Sequence, residues 1–130
     1  MNTILRSVLI AVVSATAFSA VSISAAGAQS AAYDGLWSVL VITDKGETCD
    51  RAYRYPVRIK RGRVGHSDPS NTSFNIGGRV GAGGTVRVFV SRGDKRADGV
   101  GRLTRTGGGG GKWKSARGEC SGRWTAERRG

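Results

Sequence analysis

The chain carries one His, one Met, two Cys and two Pro in 130 residues, and only 9 Asp+Glu against 21 Lys+Arg. Each shortage excludes something. A single His and two Cys do not supply the four ligands of the usual zinc site, so no metal is expected. With His66 as the only candidate base and no nucleophile elbow, a Ser-His-Asp arrangement has no support. The acids sit mostly in turns beside Gly or Lys. Asp34, Asp44, Glu47, Asp68 and Asp94 therefore read as turn chemistry before they read as the paired carboxylates of glycoside hydrolysis. A phosphate loop fails as well. Counting back from Gly111-Lys112 puts Thr106 where the first Gly should stand, and Trp113 follows the Lys in place of Ser or Thr. There is no heptad run and no repeat array, and the length fits one domain. The expectation is a protein that is not an enzyme and holds no cofactor.

What is present begins with an export signal. Residues 1–28 combine one early charge, Arg6, with an apolar run from Val8 to Ile23 diluted by Ser, Thr and Ala. Ala26-x-Ala28 then suits a signal peptidase, which needs small residues at those two positions. Ser30-x-Ala32 is a second possible cut, so the mature start falls between residues 29 and 33. A retained anchor would want about 20 mostly apolar residues, and this run is shorter. The mature domain, 29–130, keeps 20 bases against 9 acids, since only Arg6 is lost (21 − 1 = 20). Two Cys in an exported chain of this size point to one disulfide, Cys49–Cys120. Localisation is expected to be periplasmic or secreted, with no integral membrane segment after cleavage.

The mature chain shows alternation with a period of two, broken by Gly, Asp and Asn every 8–14 residues or so, which is the pattern of an all-β domain. Leu36 to Thr43 is apolar on both faces and is expected to be the best-buried strand. Tyr53, Tyr55, Val57 and Ile59 alternate with Arg54, Arg58 and Lys60. Pro56 removes a ladder donor, so it belongs at an edge, a bulge or a strand end. Further strands follow around Val64, Phe74–Val80, Val86–Val90, Ala97–Leu103, Trp113 and Cys120–Glu127. The run Gly107 to Gly111 reads as a flexible hairpin. About eight short strands leave no room for crossover helices, so an antiparallel up-and-down β-barrel or a small two-sheet sandwich is expected. If first and last strands pair, Cys49 and Cys120 start strands at the same rim, and their bond staples it.

Asp34-Gly35-Leu36-Trp37-Ser38 and Ser121-Gly122-Arg123-Trp124-Thr125 match each other, and Gly111-Lys112-Trp113 echoes them. Gly two residues before Trp lets a strand enter tightly while the indole covers an open end of the core. Trp37, Trp113 and Trp124 are thus expected to be core and end plugs. The motif resembles the opening strand of lipocalin-like and avidin-like barrels, in which an Arg beside the Trp can stack on the ring. No ligand is carried over from that likeness. The mature chain is also similar to a group of small exported bacterial proteins, through the stretches Gly35 to Ile59 and Cys120 to Arg129. Members of that group are sometimes labelled exoproteins of haem utilisation or adhesion. Haem chemistry would need an axial ligand such as His or Tyr. His66 lies beside a loop, and Tyr53 and Tyr55 alternate with arginines as core residues do.

The basic excess is the strongest signal. On the strands Arg54, Arg58, Lys60, Arg79, Arg87, Arg102 and Arg123 alternate with apolar residues, which puts them on the outside of a barrel. Arg grips phosphate and carboxylate through a planar fork. The first expectation is surface binding to anionic lipid or glycan of the cell envelope. Specific nucleic-acid recognition is not expected, because few exposed aromatics accompany the coat. One alternative is a small periplasmic enzyme inhibitor, for instance of a protease, acting through Gln29 to Tyr33 or Asp68 to Asn71. Another is a barrel that binds a small apolar ligand. Against the latter, Tyr53, Tyr55, Phe74, Trp113 and Trp124 look large enough to fill the interior.

Overall fold

A computed structural model describes residues 10–20 and 31–130. Residues 10–20 form no regular structure, and Ile10, Val12, Val13 and Phe18 are 80–94% exposed there. The rest of the expected export signal, with the Ala26-x-Ala28 cleavage pattern, lies outside the described residues. No helix among the described residues is long and apolar enough to cross a membrane.

Residues 35–128 form eight antiparallel strands: β1 (Gly35–Lys45), β2 (Ala52–Lys60), β3 (Arg63–His66), β4 (Asn75–Val80), β5 (Thr85–Arg92), β6 (Lys95–Leu103), β7 (Gly108–Ser115) and β8 (Ser121–Arg128). Each pairs with its neighbours in sequence, and β1 also pairs with β8, so the sheet closes into an up-and-down barrel. Closure leaves no free edge along the paired strands. The sandwich alternative is thereby set aside. The cysteines are bonded, with Cα atoms 6.4 Å apart, at the rim where β2 and β8 begin.

Short loops suffice because the turns have suitable residues. Arg61 and Gly62 both take positive φ (53° and 74°), the geometry of a two-residue hairpin turn. The Asp34 carboxylate accepts both of their N–H groups, at 2.6 and 3.2 Å. Asp68 closes its own loop by accepting from the N–H and hydroxyl of Ser70, which hold its pKa below the usual carboxylate value. Pro56 sits opposite Ser38 in the β1–β2 ladder, and its carbonyl accepts from Ser67 just past the last β2–β3 pair. Its missing donor thus falls where that ladder stops.

Two expectations need correction and one needs qualification. The glycine run is a strand, not a flexible hairpin. Gly108 to Gly111 pair with β6 on one side and β8 on the other, and the turn is confined to Thr104–Gly107. Strand β1 has no exposed residue from Gly35 to Thr43, in keeping with its two apolar faces, but its burial is mostly partial. Only Trp37 is fully buried there. Leu36, Leu40 and Ile42 share the outer face with Arg58, Arg54 and Ala52, where neighbours cover them only partly. Third, the large inward residues do not fill the interior. The compact core of Tyr33, Trp37, Ile59, Val64, Val80, Val86 and Leu103 gathers at the end where the chain enters. The opposite half of the lumen stays open.

Candidate functional site

Alternation along each strand sends Arg54, Arg58, Lys60, Arg79, Arg87, Arg102 and Arg123 outward, and all seven are exposed. Ladder register then decides which of them meet. Lys60 pairs with Arg63, Arg63 with Arg79, and Arg79 with Arg87. Four cations therefore stand in one row across β2–β5, about 4.8 Å apart along the hydrogen-bonding direction. Arg58 adds a fifth on the same face of β2. Among the described residues none of these five has an ion-pair partner. Arg63 belongs to the site although it is not among the seven cations that strand alternation singles out in the sequence. The clue was available, because a two-residue Arg61-Gly62 loop puts Arg63 directly opposite Lys60.

The remaining three predicted residues stand apart. Arg54 donates to Ser38 Oγ at 3.0 Å, Arg102 donates to the Gly83 carbonyl at 3.0 Å, and Arg123 pairs with Asp44 at 3.6 Å. Acids are segregated from the row. The outward positions of β2–β5 hold none, while the ion pairs Arg96–Asp98, Arg117–Asp94, Arg123–Asp44 and Arg129–Glu127 all lie elsewhere. The hydrogen bonds from Arg96 hold the Asp98 pKa below its usual value. Like charges directly opposite one another destabilise a sheet, and a bound anion relieves that repulsion.

Comparison with protein families, with curated proteins and with solved structures finds no match. The site must be read from its own geometry.

The lumen is the second feature. It encloses about 470 Å³. Its closed end is sealed from the N-terminal side. The Trp37 indole donates to the Tyr33 carbonyl at 2.8 Å, and the Arg128 guanidinium lies 5.0 Å over the Trp37 ring while donating to the Ala32 carbonyl at 2.9 Å. Tyr33 is itself only 3% exposed. Trp124 belongs to the buried core and Trp113 packs against it, as expected, but neither caps an end of the lumen. Trp124 reaches past Gly111 of β7, packs on Gly101 and donates to the Val100 carbonyl of β6 at 3.2 Å. Trp113 reaches past Gly122 of β8 and donates to the Ile42 carbonyl of β1 at 2.9 Å. Both indoles are thus anchored to the barrel wall two strands away. Tyr53 and Tyr55 pack against each other at the mouth, with ring centroids 4.5 Å apart and planes tilted by 48°, and Tyr55 meets Phe74 edge-on at 5.3 Å. Burial, and then the negative charge of neighbouring groups, pushes the Tyr55 pKa above its usual value.

His66 ends β3 with its ring 4.8 Å from Phe74. Its Nδ1 accepts from the Asp68 N–H at 2.9 Å, while Nε2 is buried without a partner. The ring is not part of the lumen wall, so it does not fit the role of an axial haem ligand there. No group of three or more His, Cys, Asp or Glu gathers among the described residues.

Proposed function

We propose that this is an exported protein that binds anionic components of the cell envelope, lipid head groups and acidic glycans, through the outer face of β2–β5. The observation that carries the reading is the unpaired row Lys60–Arg63–Arg79–Arg87, with Arg58 beside it and no acid on that face. A row of planar guanidinium forks spaced at the strand interval matches a surface that repeats phosphate or carboxylate groups. The Cys49–Cys120 disulfide supports an oxidising compartment. Cations on the outer faces of the strands, where a membrane barrel would carry an apolar band, support surface attachment over insertion. Against the inhibitor alternative, Tyr33 at the end of one of its two segments is taken up in sealing the barrel, while Gln29 and Ser30 lie outside the described residues.

Binding to lipopolysaccharide and to phosphatidylglycerol vesicles, followed against salt, tests the proposal. Affinity should fall steeply as salt rises, since each neutralised anion releases counterions. The triple variant Lys60→Glu, Arg79→Glu, Arg87→Glu should lose at least ten-fold in affinity at low salt with its fold intact by circular dichroism. Flat titrations for the native protein, or equal binding by the variant, would sink the idea.

A further inference from the structure

The open half of the lumen is a blind tube with a chemical gradient along it. Its wall is aliphatic and aromatic: Val39, Val41, Ile76, Val88, Trp113 and Trp124 all face it. Trp113 and Trp124 have their only polar atoms committed to wall carbonyls, so the wall offers nothing for a polar solute to bond to at depth. The Trp37–Tyr33 seal blocks the far end. At about 470 Å³ the space is some three times the roughly 150 Å³ apolar cavity that accepts one benzene. It also lies within the range of small-molecule sites, about 300–1,000 Å³.

Six charged residues border the space, Asp50, Arg92, Lys95, Arg96, Asp98 and Glu119, and of these Arg96 and Asp98 neutralise each other at 2.9 Å. Arg92 ends β5 and Lys95 begins β6, paired across the same hairpin. Both line the entrance, and neither has an ion-pair partner among the described residues. Asp50 and Glu119 line the entrance from the two segments that carry the disulfide. The unpaired cations of the lip thus belong to one hairpin and the unpaired acids to the stapled segments. The protein-wide excess of cations favours an anion over a cation at the mouth, and repulsion from Asp50 and Glu119 directs it to the Arg92–Lys95 side.

We propose that the lumen binds a single-chain amphiphile with an anionic head, the chain running down the apolar tube and the carboxylate or phosphate resting on Arg92 and Lys95. The site is separate from the cationic row, because Lys60, Arg63 and Arg79 lie at the closed end of the barrel and Arg92 and Lys95 at the open end.

The test titrates full-length mature protein with decanoate, dodecanoate, 1-dodecanol and dodecyltrimethylammonium, all below their micelle concentrations. Tryptophan fluorescence reports binding, since Trp113 and Trp124 line the site. Dodecanoate should bind at least five-fold tighter than dodecanol, and dodecyltrimethylammonium weaker than both. Each added methylene should gain about four-fold in affinity, equivalent to about 0.8 kcal/mol. The double variant Arg92→Ala, Lys95→Ala should bring dodecanoate down to the alcohol's affinity and leave the alcohol unchanged. Val88→Trp should block all ligands by filling the tube. If that variant misfolds, Ala97→Trp at the lip serves instead. Absence of saturable binding, equal affinity for the three head groups, or full binding by a folded tube-filling variant would each overturn the proposal. The charge-reversed β2–β5 variant should bind dodecanoate normally, so failure of one proposal is distinguishable from failure of the other.

Discussion

At the scale of single residues, the barrel interior is organised by pairs of one Trp and one Gly. Trp113 is opposite Gly122 and Gly111 is opposite Trp124 on neighbouring strands. Each missing side chain opens the path along which the other strand's indole reaches its carbonyl. A β-carbon at Gly111 would collide with the Val100 carbonyl and come within 2.7 Å of the Gly101 Cα, both of which are backbone and cannot swing aside. At Gly65, on the outer face, a β-carbon would meet nothing within 4 Å. Gly111→Ala should therefore cost about 3 kcal/mol, at the upper end for overpacking. Gly65→Ala should be neutral or slightly stabilising, because it only narrows the unfolded ensemble. Paired thermal melts decide the matter. Equal melting temperatures for the two variants would mean that Gly111 is not a packing position.

At the scale of elements, much of the strand pattern was legible. Tyr55, Val57 and Ile59 against Arg54, Arg58 and Lys60 show the pleat directly, and register follows from it wherever side chains differ in kind. Gly108 to Gly111 defeat that reading, since four residues without side chains carry no alternation. Their strand is dictated by partners on β6 and β8 that lie far away in sequence. The closing turn at Ala31–Tyr33 was hidden for a related reason. Small residues before Tyr33 look like the tail of a cleavage site, and only the folded barrel reveals that their carbonyls accept from Asp34 and Arg128. That turn also bears on processing. A cut after Ala28 keeps Ala31 and Ala32, whereas a cut after Ala32 removes both acceptors. Tyr33→Ala should cost about 3 kcal/mol or more, as large-to-small changes at buried aromatics do. It should also unseal the closed end. Chemical denaturation measures the first effect, and faster quenching of Trp37 fluorescence by acrylamide reports the second. A variant as stable and as protected as the native protein would show that Tyr33 does not hold the seal.

For the whole molecule, closure controls both candidate sites. The cationic row exists because β2 to β5 curve together without a break, and the lumen exists because β1 and β8 meet. Whether a barrel is filled depends on how far its wall stands from its axis, which is set by strand number and stagger. The size of Tyr53, Phe74 or Trp113 says nothing about that, and so the filled interior expected from side-chain volume did not arise. Closure itself rests on the β1–β8 ladder and the Cys49–Cys120 bond, which spans 71 positions of chain. Chain-entropy arithmetic gives that cross-link about 4 kcal/mol of stabilisation, a large share of the 5–15 kcal/mol or so that holds a typical domain together. The bond lies at the open rim, next to the lip residues Asp50 and Glu119, while the Tyr33–Trp37–Arg128 seal holds the opposite end without it. The Cys49→Ser, Cys120→Ser variant should thus keep its strand signal in the cold and melt at a markedly lower temperature. Its loss of order should begin at the mouth, where amide hydrogen exchange in Thr48–Asp50 and Glu119–Gly122 should accelerate before that in β3–β5. Uniform acceleration around the barrel would place the effect of the bond in global stability alone and remove it as the staple of the rim.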